Sequence, residues 1–96
     1  MSTFTVLACI TIAEGHDAEV ARGLAALAAP TRAEPGCLHY AIYRDLHEPS
    51  NVLIHEIWRR QADWIEHLEQ PHLITFKEDV LPGRATLSAT KLKPAA

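Results

Sequence analysis

The sequence has little of several residue patterns that define common classes of functional site. Its four glycines stand far apart, at positions 15, 23, 36 and 83, so no glycine-rich loop can cradle a phosphate. The serines are Ser2, Ser50 and Ser88, and none of them lies in the Gly-x-Ser-x-Gly turn of an α/β-hydrolase. These absences exclude the usual nucleotide-binding loop and leave a serine-hydrolase triad without support.

Basic charge and long apolar runs are scarce as well. Nine lysines and arginines against 12 acidic residues give a net charge of −3, so the sequence offers no electrostatic basis for binding nucleic acid. No apolar run approaches the ~18–20 residues of a membrane helix. The first residues lack a basic segment before their apolar stretch, so we expect no signal peptide. Cys9 and Cys37 match no close metal or redox spacing, which favours reduced thiols in a cytoplasmic protein.

The sequence does contain a regular succession of strand and helix patterns, which we assign to one domain spanning residues 1–96. Alternating apolar residues predict four strands, at 4–12, 37–44, 51–59 and 84–92. Helical spacing predicts a first helix at 17–32 and a second at 61–69. The resulting order, β-α-β-β-α-β, is typical of the ferredoxin-like, split β-α-β class of α+β fold.

A proline divides the second helical region. Ala62, Ile65 and Leu68 form the apolar line that we expect to face the sheet. Pro71 suits the first turn of a new short helix, and helical spacing then continues to Leu81. We therefore expect two helical segments with a break between them.

Two of the predicted strands are apolar on both faces. Strand one has Phe4, Val6 and Ile10 against Leu7 and Cys9, and strand three has Val52 and Ile54 against Leu53 and Ile57. A sheet with one wet face alternates more cleanly than this. We infer that a second subunit covers the face without helices, which predicts a homodimer.

The histidines could in principle bind a metal, but the spacing between His67 and His72 does not favour a metal site. His67 and His72 are five residues apart, which on a straight helix places them about 140° apart. Pro71 could bend the chain and bring them together, and Glu56 or Glu69 could add a carboxylate. Because no ligand spacing here is diagnostic of zinc, we expect no metal.

The remaining polar residues cluster in an apolar, aromatic setting. Glu56 and Trp58 point to the same side of strand three. The helical segments above that sheet carry Trp64, His67, His72 and Phe76. A cleft lined by aromatics and a few histidines is typical of a small-ligand site, where histidine can move protons near neutral pH. The alternative is structural, with His67 on a helix surface and Trp58 as plain core.

Three short segments together resemble the antibiotic biosynthesis monooxygenase family. They are EPGCLHY at 34–40, EIW at 56–58 and HLEQPHLITF at 67–76. The matching positions are Glu34, Pro35, Gly36, Cys37, Tyr40, Glu56, Trp58, Ala62, His67, Leu68, Pro71, His72 and Phe76. Leu73 replaces a usual Phe and Gln70 replaces a frequent Ser. The resemblance extends from strand one to the last strand.

This resemblance implies a dimeric α+β barrel that oxidises a small quinol-like or phenolic aromatic with O₂ and needs no cofactor. An electron-rich phenolate can itself reduce O₂, so the protein has to bind the phenol, deprotonate it and hold the anion. We assign the catalytic roles to His67, as the base, and to His72, which together with Tyr40 would orient the substrate. The expected substrate-binding residues are Tyr40, Glu56, Trp58, Trp64, Phe76 and Arg32.

Other activities on similar folds are less well matched. A haem-degrading branch uses an Asn, a Trp and a His at the places held here by Ala8, His67 and Lys77, so we reject haem degradation. An isomerase of a phosphorylated sugar needs basic pocket groups, for which only Arg32 and Arg84 are available. An isomerase of a small carbonyl compound and a dimeric ligand-binding module without turnover both remain alternatives.

Overall fold

The structure is a computed structural model that describes residues 2–96, and within them the chain forms one antiparallel sheet of four strands. The strands are β1 (Phe4–Ile12), β2 (Cys37–Arg44), β3 (Asn51–Trp58) and β4 (Ala85–Leu92), in the spatial order β2-β3-β1-β4. The helices are α1 (Asp17–Arg32), α2 (Gln61–His67) and α3 (Pro71–Thr75), and α3 runs into a π-helical turn at Phe76–Val80. The predicted ferredoxin-like α+β fold is confirmed. Among residues 2–96, no helix is both long and apolar enough to cross a bilayer.

The helices cover one face of the sheet, which we call the covered face. Its buried residues come from alternate positions of the strands and from one stripe of α1, because side chains alternate across a strand and recur every three or four positions along a helix. They include Val6, Ala8, Ile10, Val52, Ile54, Val20, Leu24 and Leu27. The core therefore lies between β1, β3 and α1.

Helix α2 faces the sheet with a different side from the one predicted. Ile65 is 49% exposed and Ala62 is also exposed, whereas α2 buries Asp63 and His67. Two arginines at the end of β3 hold the Asp63 carboxylate, Arg59 at 3.0 Å and Arg60 at 3.4 Å. These ion pairs fix a seven-residue helix about one position, or ~100°, away from its apolar line. The predicted apolar line is therefore wrong for Ala62 and Ile65, whereas Leu68 does pack against the core, and His67 faces inward.

The predicted break before Pro71 is confirmed. Gln70 has extended backbone angles, φ −72° and ψ 141°, as the residue before a proline prefers. Pro71 opens α3, where its missing N–H costs nothing. The next turn widens, because the Leu81 N–H donates to the Phe76 carbonyl five residues back, at 3.1 Å. His67 thus ends one helix and His72 begins the next.

The opposite face of the sheet carries no helix within residues 2–96, and we call it the open face. Leu7, Leu53 and Ile57 lie on it half-buried by their strand neighbours, and Tyr43 there is 54% exposed. The apolar character predicted for this face is therefore present. The homodimer inferred from it stays a prediction.

Candidate active site

A cavity of about 60 Å³ lies between the covered face and the segment from α2 to the π-helical turn. Apolar side chains from the strands form its floor, among them Val6, Ala8 and Ile54. Its polar and aromatic walls are Tyr40, Glu56, Trp64, His67, Phe76 and Lys77. Lys77 and Ala89 are exposed, so the cavity opens between the π-helical turn and β4.

The imidazole of His67 occupies the inner end of this cavity. It is 2% exposed and stacks at a tilt on the Trp58 ring, with 4.7 Å between the ring centroids. The Tyr40 ring lies 6.3 Å away in an edge arrangement. Burial lowers the pKa of His67, and this effect outweighs the neighbouring Glu34 carboxylate, which acts in the opposite direction. His67 is therefore a neutral imidazole at pH 7.

Glu34 links the two histidines on the side of His67 away from the cavity. Its Oε2 atom lies 2.7 Å from Nδ1 of His67 and 2.8 Å from Nε2 of His72. Glu34 stands in the turn between α1 and β2, which the Cys37 N–H closes by donating to the Glu34 carbonyl at 3.0 Å. In that turn Gly36 packs directly on Asp63 of α2, where any Cβ would overlap the aspartate side chain. A glycine is thus required for the turn to lie against α2.

The same three side chains place one oxygen and two nitrogens within 4.8 Å of one another, a donor set that could hold a divalent cation. Both imidazole nitrogens, however, approach a single carboxylate oxygen at hydrogen-bond distance. The arrangement is satisfied as a hydrogen-bonded bridge between two helices.

Glu56 forms the second buried acidic group of the site. It is 4% exposed and accepts a hydrogen bond from Nε1–H of Trp58 at 2.9 Å. Burial raises the pKa of Glu56 to about 7, since one indole donor offsets only part of the lost hydration. Burial, reinforced by the Glu56 charge, also raises the pKa of Tyr40 well above its ordinary value. Tyr40 therefore stays a neutral phenol in the wall of the cavity.

The model of the family described as antibiotic biosynthesis monooxygenase matches residues 3–79, which is most of the chain. The chain belongs to this family. The resemblance drawn from the sequence motifs is thereby confirmed, and the cavity lies within the matched region.

Individual relatives agree with this assignment. The structure of PA3566 from Pseudomonas aeruginosa is 32% identical with a TM-score of 0.92, covering 100% of this chain and 97% of that one. SnoaB, a cofactor-independent oxygenase from Streptomyces nogalater, is 18% identical with a TM-score of 0.85, covering 100% and 96%, and this likeness shows the fold alone. An uncharacterised protein of Synechocystis sp. is 35% identical over 66 residues, or 66% of this chain. The matched segment spans 45% of that relative's length.

The structure brings most of the predicted site residues to the cavity, and three take other positions. Tyr40, Glu56, Trp64, His67 and Phe76 line the cavity as expected. His72 lies instead in an outer groove between α1 and α3, because the break at Pro71 turns α3 outward. Trp58 is completely buried behind His67. Arg32 is exposed, and its Nε–H donates to the Tyr40 carbonyl at 3.0 Å, so it does not reach the cavity.

Two residues of the site were absent from the sequence-based set. From the sequence, Glu34 is only a position that matches the family motif, since its partners lie 33 and 38 residues away. The signal that could have found it is the acidic residue that opens the family motif. Lys77 reaches the cavity because the π-helical turn shifts the helical register at Phe76, and no residue pattern announces that shift.

Proposed function

We propose that this member of the family is a cofactor-independent monooxygenase that oxidises a small quinol-like or phenolic aromatic with O₂. One arrangement carries the proposal: a neutral imidazole, His67, on the wall of an apolar, aromatic cavity. Within residues 2–96, Nε2 of His67 has no hydrogen-bond partner, so it is available to a ligand. Family membership and the fold shared with SnoaB, a cofactor-independent oxygenase, support the same reaction class.

The reaction begins with a proton transfer. The phenolic O–H of the substrate gives its proton to Nε2 of His67, and the phenolate transfers one electron to O₂. The resulting radical and superoxide combine at a ring carbon to give a peroxide, which loses water to form a carbonyl. A hydroquinone and O₂ thus become a hydroxyquinone and water, with one oxygen atom retained in the product. The proton held on His67 returns to the departing oxygen.

The remaining residues hold the anion. Tyr40, as a neutral phenol, is a donor to a substrate oxygen, and Glu56 below pH 7 is a second one. The Lys77 ammonium at the cavity mouth stabilises negative charge on phenolate or superoxide. Trp64 and Phe76 supply aromatic walls for the ring. Trp58 acts through His67 and Glu56, which it holds in place.

Substrate entry requires this cavity to widen. Apolar cavities of ~150 Å³ accept benzene, whereas the cavity here measures about 60 Å³. The wall that can move is the segment from Pro71 to Val80, which combines a short helix with a π-helical turn. Strands β1 and β3 form the opposite wall and are held by continuous backbone pairing. We therefore expect the ligand to displace Phe76 and Lys77.

The proposal includes a homodimer and a cytoplasmic location. A second copy packed on the open face would cover Leu7, Leu53 and Ile57, which a solitary molecule leaves half-exposed. It would also stiffen the floor of the cavity, which is the other side of the same strands. Cys9 and Cys37 are free thiols, as expected in a reducing compartment.

A dimeric binding module without turnover is the alternative, because a cavity lined by apolar and aromatic side chains can bind a small molecule without catalysing its reaction. A sugar-phosphate isomerase has less support. Its anionic substrate would need basic groups, but both candidate arginines bind other partners. Arg32 donates to the Tyr40 carbonyl, and Arg84 donates to Glu19 at 2.7 Å.

Oxygen uptake on a panel of hydroquinones and polycyclic phenols, after the protein is treated with a chelator, tests the proposal. We expect turnover that falls roughly 100-fold or more in His67→Ala, since a positioned base contributes ~10²–10⁴-fold. His47→Ala, in an exposed turn, is the matched control and retains the rate. Thermal stabilisation by these aromatics without O₂ uptake would instead identify a binding module.

A further inference from the structure

We propose that Glu34 is the positioning residue of this site: its carboxylate fixes His67 in the tautomer whose Nε2 accepts a proton from the substrate. His72 holds that carboxylate in place from the outer groove and does not touch the substrate. The inference rests on the proposed function for the step that it serves, but the tautomer itself can be measured without turnover.

The tautomer follows from which atoms can donate. An ionised carboxylate has no hydrogen and only accepts hydrogen bonds. Nδ1 of His67, 2.7 Å from Glu34 Oε2, must therefore carry the hydrogen of that contact. A neutral imidazole has a single N–H, so Nε2 is left with a lone pair. Because His67 lines the cavity while Glu34 does not, that lone pair is the one available to a ligand.

His72 completes the arrangement from the other side. Its Nε2 lies 2.8 Å from the same Oε2 atom and donates to it, so two N–H groups hold one oxygen. Side-chain exposure rises along the chain of contacts, from 3% at His67 to 10% at Glu34 and 19% at His72. The carboxylate is thus locked between a buried imidazole in the cavity wall and one that meets the outer groove.

The charges around His67 give the bridge a second effect. When His67 takes up a proton, its imidazolium faces the Glu34 carboxylate, which favours the charged form. Burial opposes it most strongly, and the neighbouring His72 and Lys77 also oppose it. From β2 and β3, Tyr40 and Glu56 face the same ring. Glu34 is the group that offsets the burial of His67, as a third residue orients and supports the base in other dyads.

Nuclear magnetic resonance of the ¹⁵N-labelled full chain tests the tautomer directly, through two-bond nitrogen–hydrogen correlations of the histidine rings. We expect His67 to be the Nδ1–H tautomer in the unsubstituted protein. In Glu34→Leu no acceptor faces Nδ1, so His67 shifts toward the Nε2–H tautomer and its pKa falls. Glu34→Asp keeps a carboxylate and retains the Nδ1–H form, provided that thermal melting shows both variants folded.

His72→Gln is the matched variant on the outer side. Its amide can still donate to Glu34, so the His67 tautomer stays as it was, whereas the pKa of His67 rises because His72 no longer opposes its protonation. The substitutions at 34 and 72 therefore move the same titration in opposite directions. A merely structural role for Glu34 would not produce that pair of shifts. His47→Gln, in an exposed turn, moves neither quantity.

Three results would overturn the inference. One is an Nε2–H tautomer of His67 in the unsubstituted protein, and another is a tautomer that Glu34→Leu leaves unchanged. The third is tight binding of Zn²⁺ added alone, with both His67 and His72 signals shifted, which would make the cluster a metal site. If the tautomer is as expected and no phenol supports O₂ uptake, the proposed function fails and the positioning role stands. If uptake occurs, Glu34→Leu should lower kcat roughly 100-fold with little change in KM.

Discussion

The two faces of the sheet are formed by the same strands but differ in which side chains they bury. The covered face buries polar groups among apolar ones, with Glu56 at 4% exposure and Trp58 at 0% in register with Val6 and Phe4 of β1. The open face has the reverse character, because Leu7, Leu53 and Ile57 are only half-covered among threonines and histidines.

This contrast separates function from assembly along one strand. A buried acid costs stability, and such costly groups are typical of functional sites, which favours chemistry on the covered face. Half-exposed aliphatic side chains in a row cost little in a monomer but gain from a partner, which points to association on the open face. We propose that Glu56 and Ile57, which are successive residues of β3, serve these two purposes in turn.

The largest effect should come from removing Trp58 on the covered face. Trp58→Ala deletes a fully buried indole, unstacks His67 and leaves Glu56 without its donor. We expect the free energy of unfolding to fall by about 3–5 kcal/mol, as for other large aromatic truncations in cores. Urea denaturation followed by circular dichroism measures it.

Trp64→Ala is the control for that experiment. Trp64 is half-buried at the cavity wall, with Phe4 at 5.6 Å and the Lys91 ammonium 5.8 Å from its ring. Its loss should cost clearly less than the loss of Trp58. Equal costs for the two tryptophans would mean that the polar pair on the covered face contributes nothing beyond buried area.

Much of this contrast could be predicted from the sequence. The period of two in β1 and β3, with apolar residues on both sides, identified both faces, and the helical spacing of Val20, Leu24 and Leu27 predicted α1 with its observed bounds. Both signals are local, so a short window of sequence contains them.

The orientation of α2 and the Glu34 bridge could not be predicted in the same way. Arg59 and Arg60 override the apolar line of α2 by holding Asp63, whose pKa they lower to about 2. The bridge depends on a turn more than 30 residues from either histidine. Contacts between distant segments leave no periodicity in the sequence. The two histidines could therefore be proposed from the sequence, whereas their link through the Glu34 carboxylate is seen only in the structure.

A charge on the open face should have the next largest effect. Leu53→Asp places a carboxylate at the centre of the face on which we expect a second copy to pack. The substitution places two unpaired charges in each dimer interface. We expect the Kd of the dimer to rise by at least ~100-fold, equivalent to about 2.7 kcal/mol.

Sedimentation velocity over a range of concentrations measures this dissociation. Ala62→Asp adds the same charge to an exposed position of α2, outside the open face, and should leave the dimer intact. If the unsubstituted chain sediments as a monomer even at its highest soluble concentration, the open face is not a dimer interface.

The smallest effect that we expect is a gain in stability at Glu56. In the folded chain this carboxyl has a pKa of about 7, against an ordinary value of 4.5. Between these values the unfolded chain releases a proton that the folded chain keeps, so stability falls as pH rises from 4.5 to 7 and then levels off. Glu56→Gln cannot ionise, and its amide oxygen can still accept from Trp58. The variant should therefore match the parent below pH 4.5 and exceed it by about 1–3 kcal/mol above pH 7.

The difference between the two proteins is the quantity to measure, by urea denaturation at a series of pH values. His67 titrates in both, so its own pH dependence, which lowers stability as pH falls below 6.5, largely cancels in the difference. Glu66→Gln on the exposed side of α2 is the matched substitution and should give a flat difference. If the curve for Glu56→Gln is also flat, then the acid on the covered face is ionised and hydrated at neutral pH, and the two faces differ less than their burial indicates.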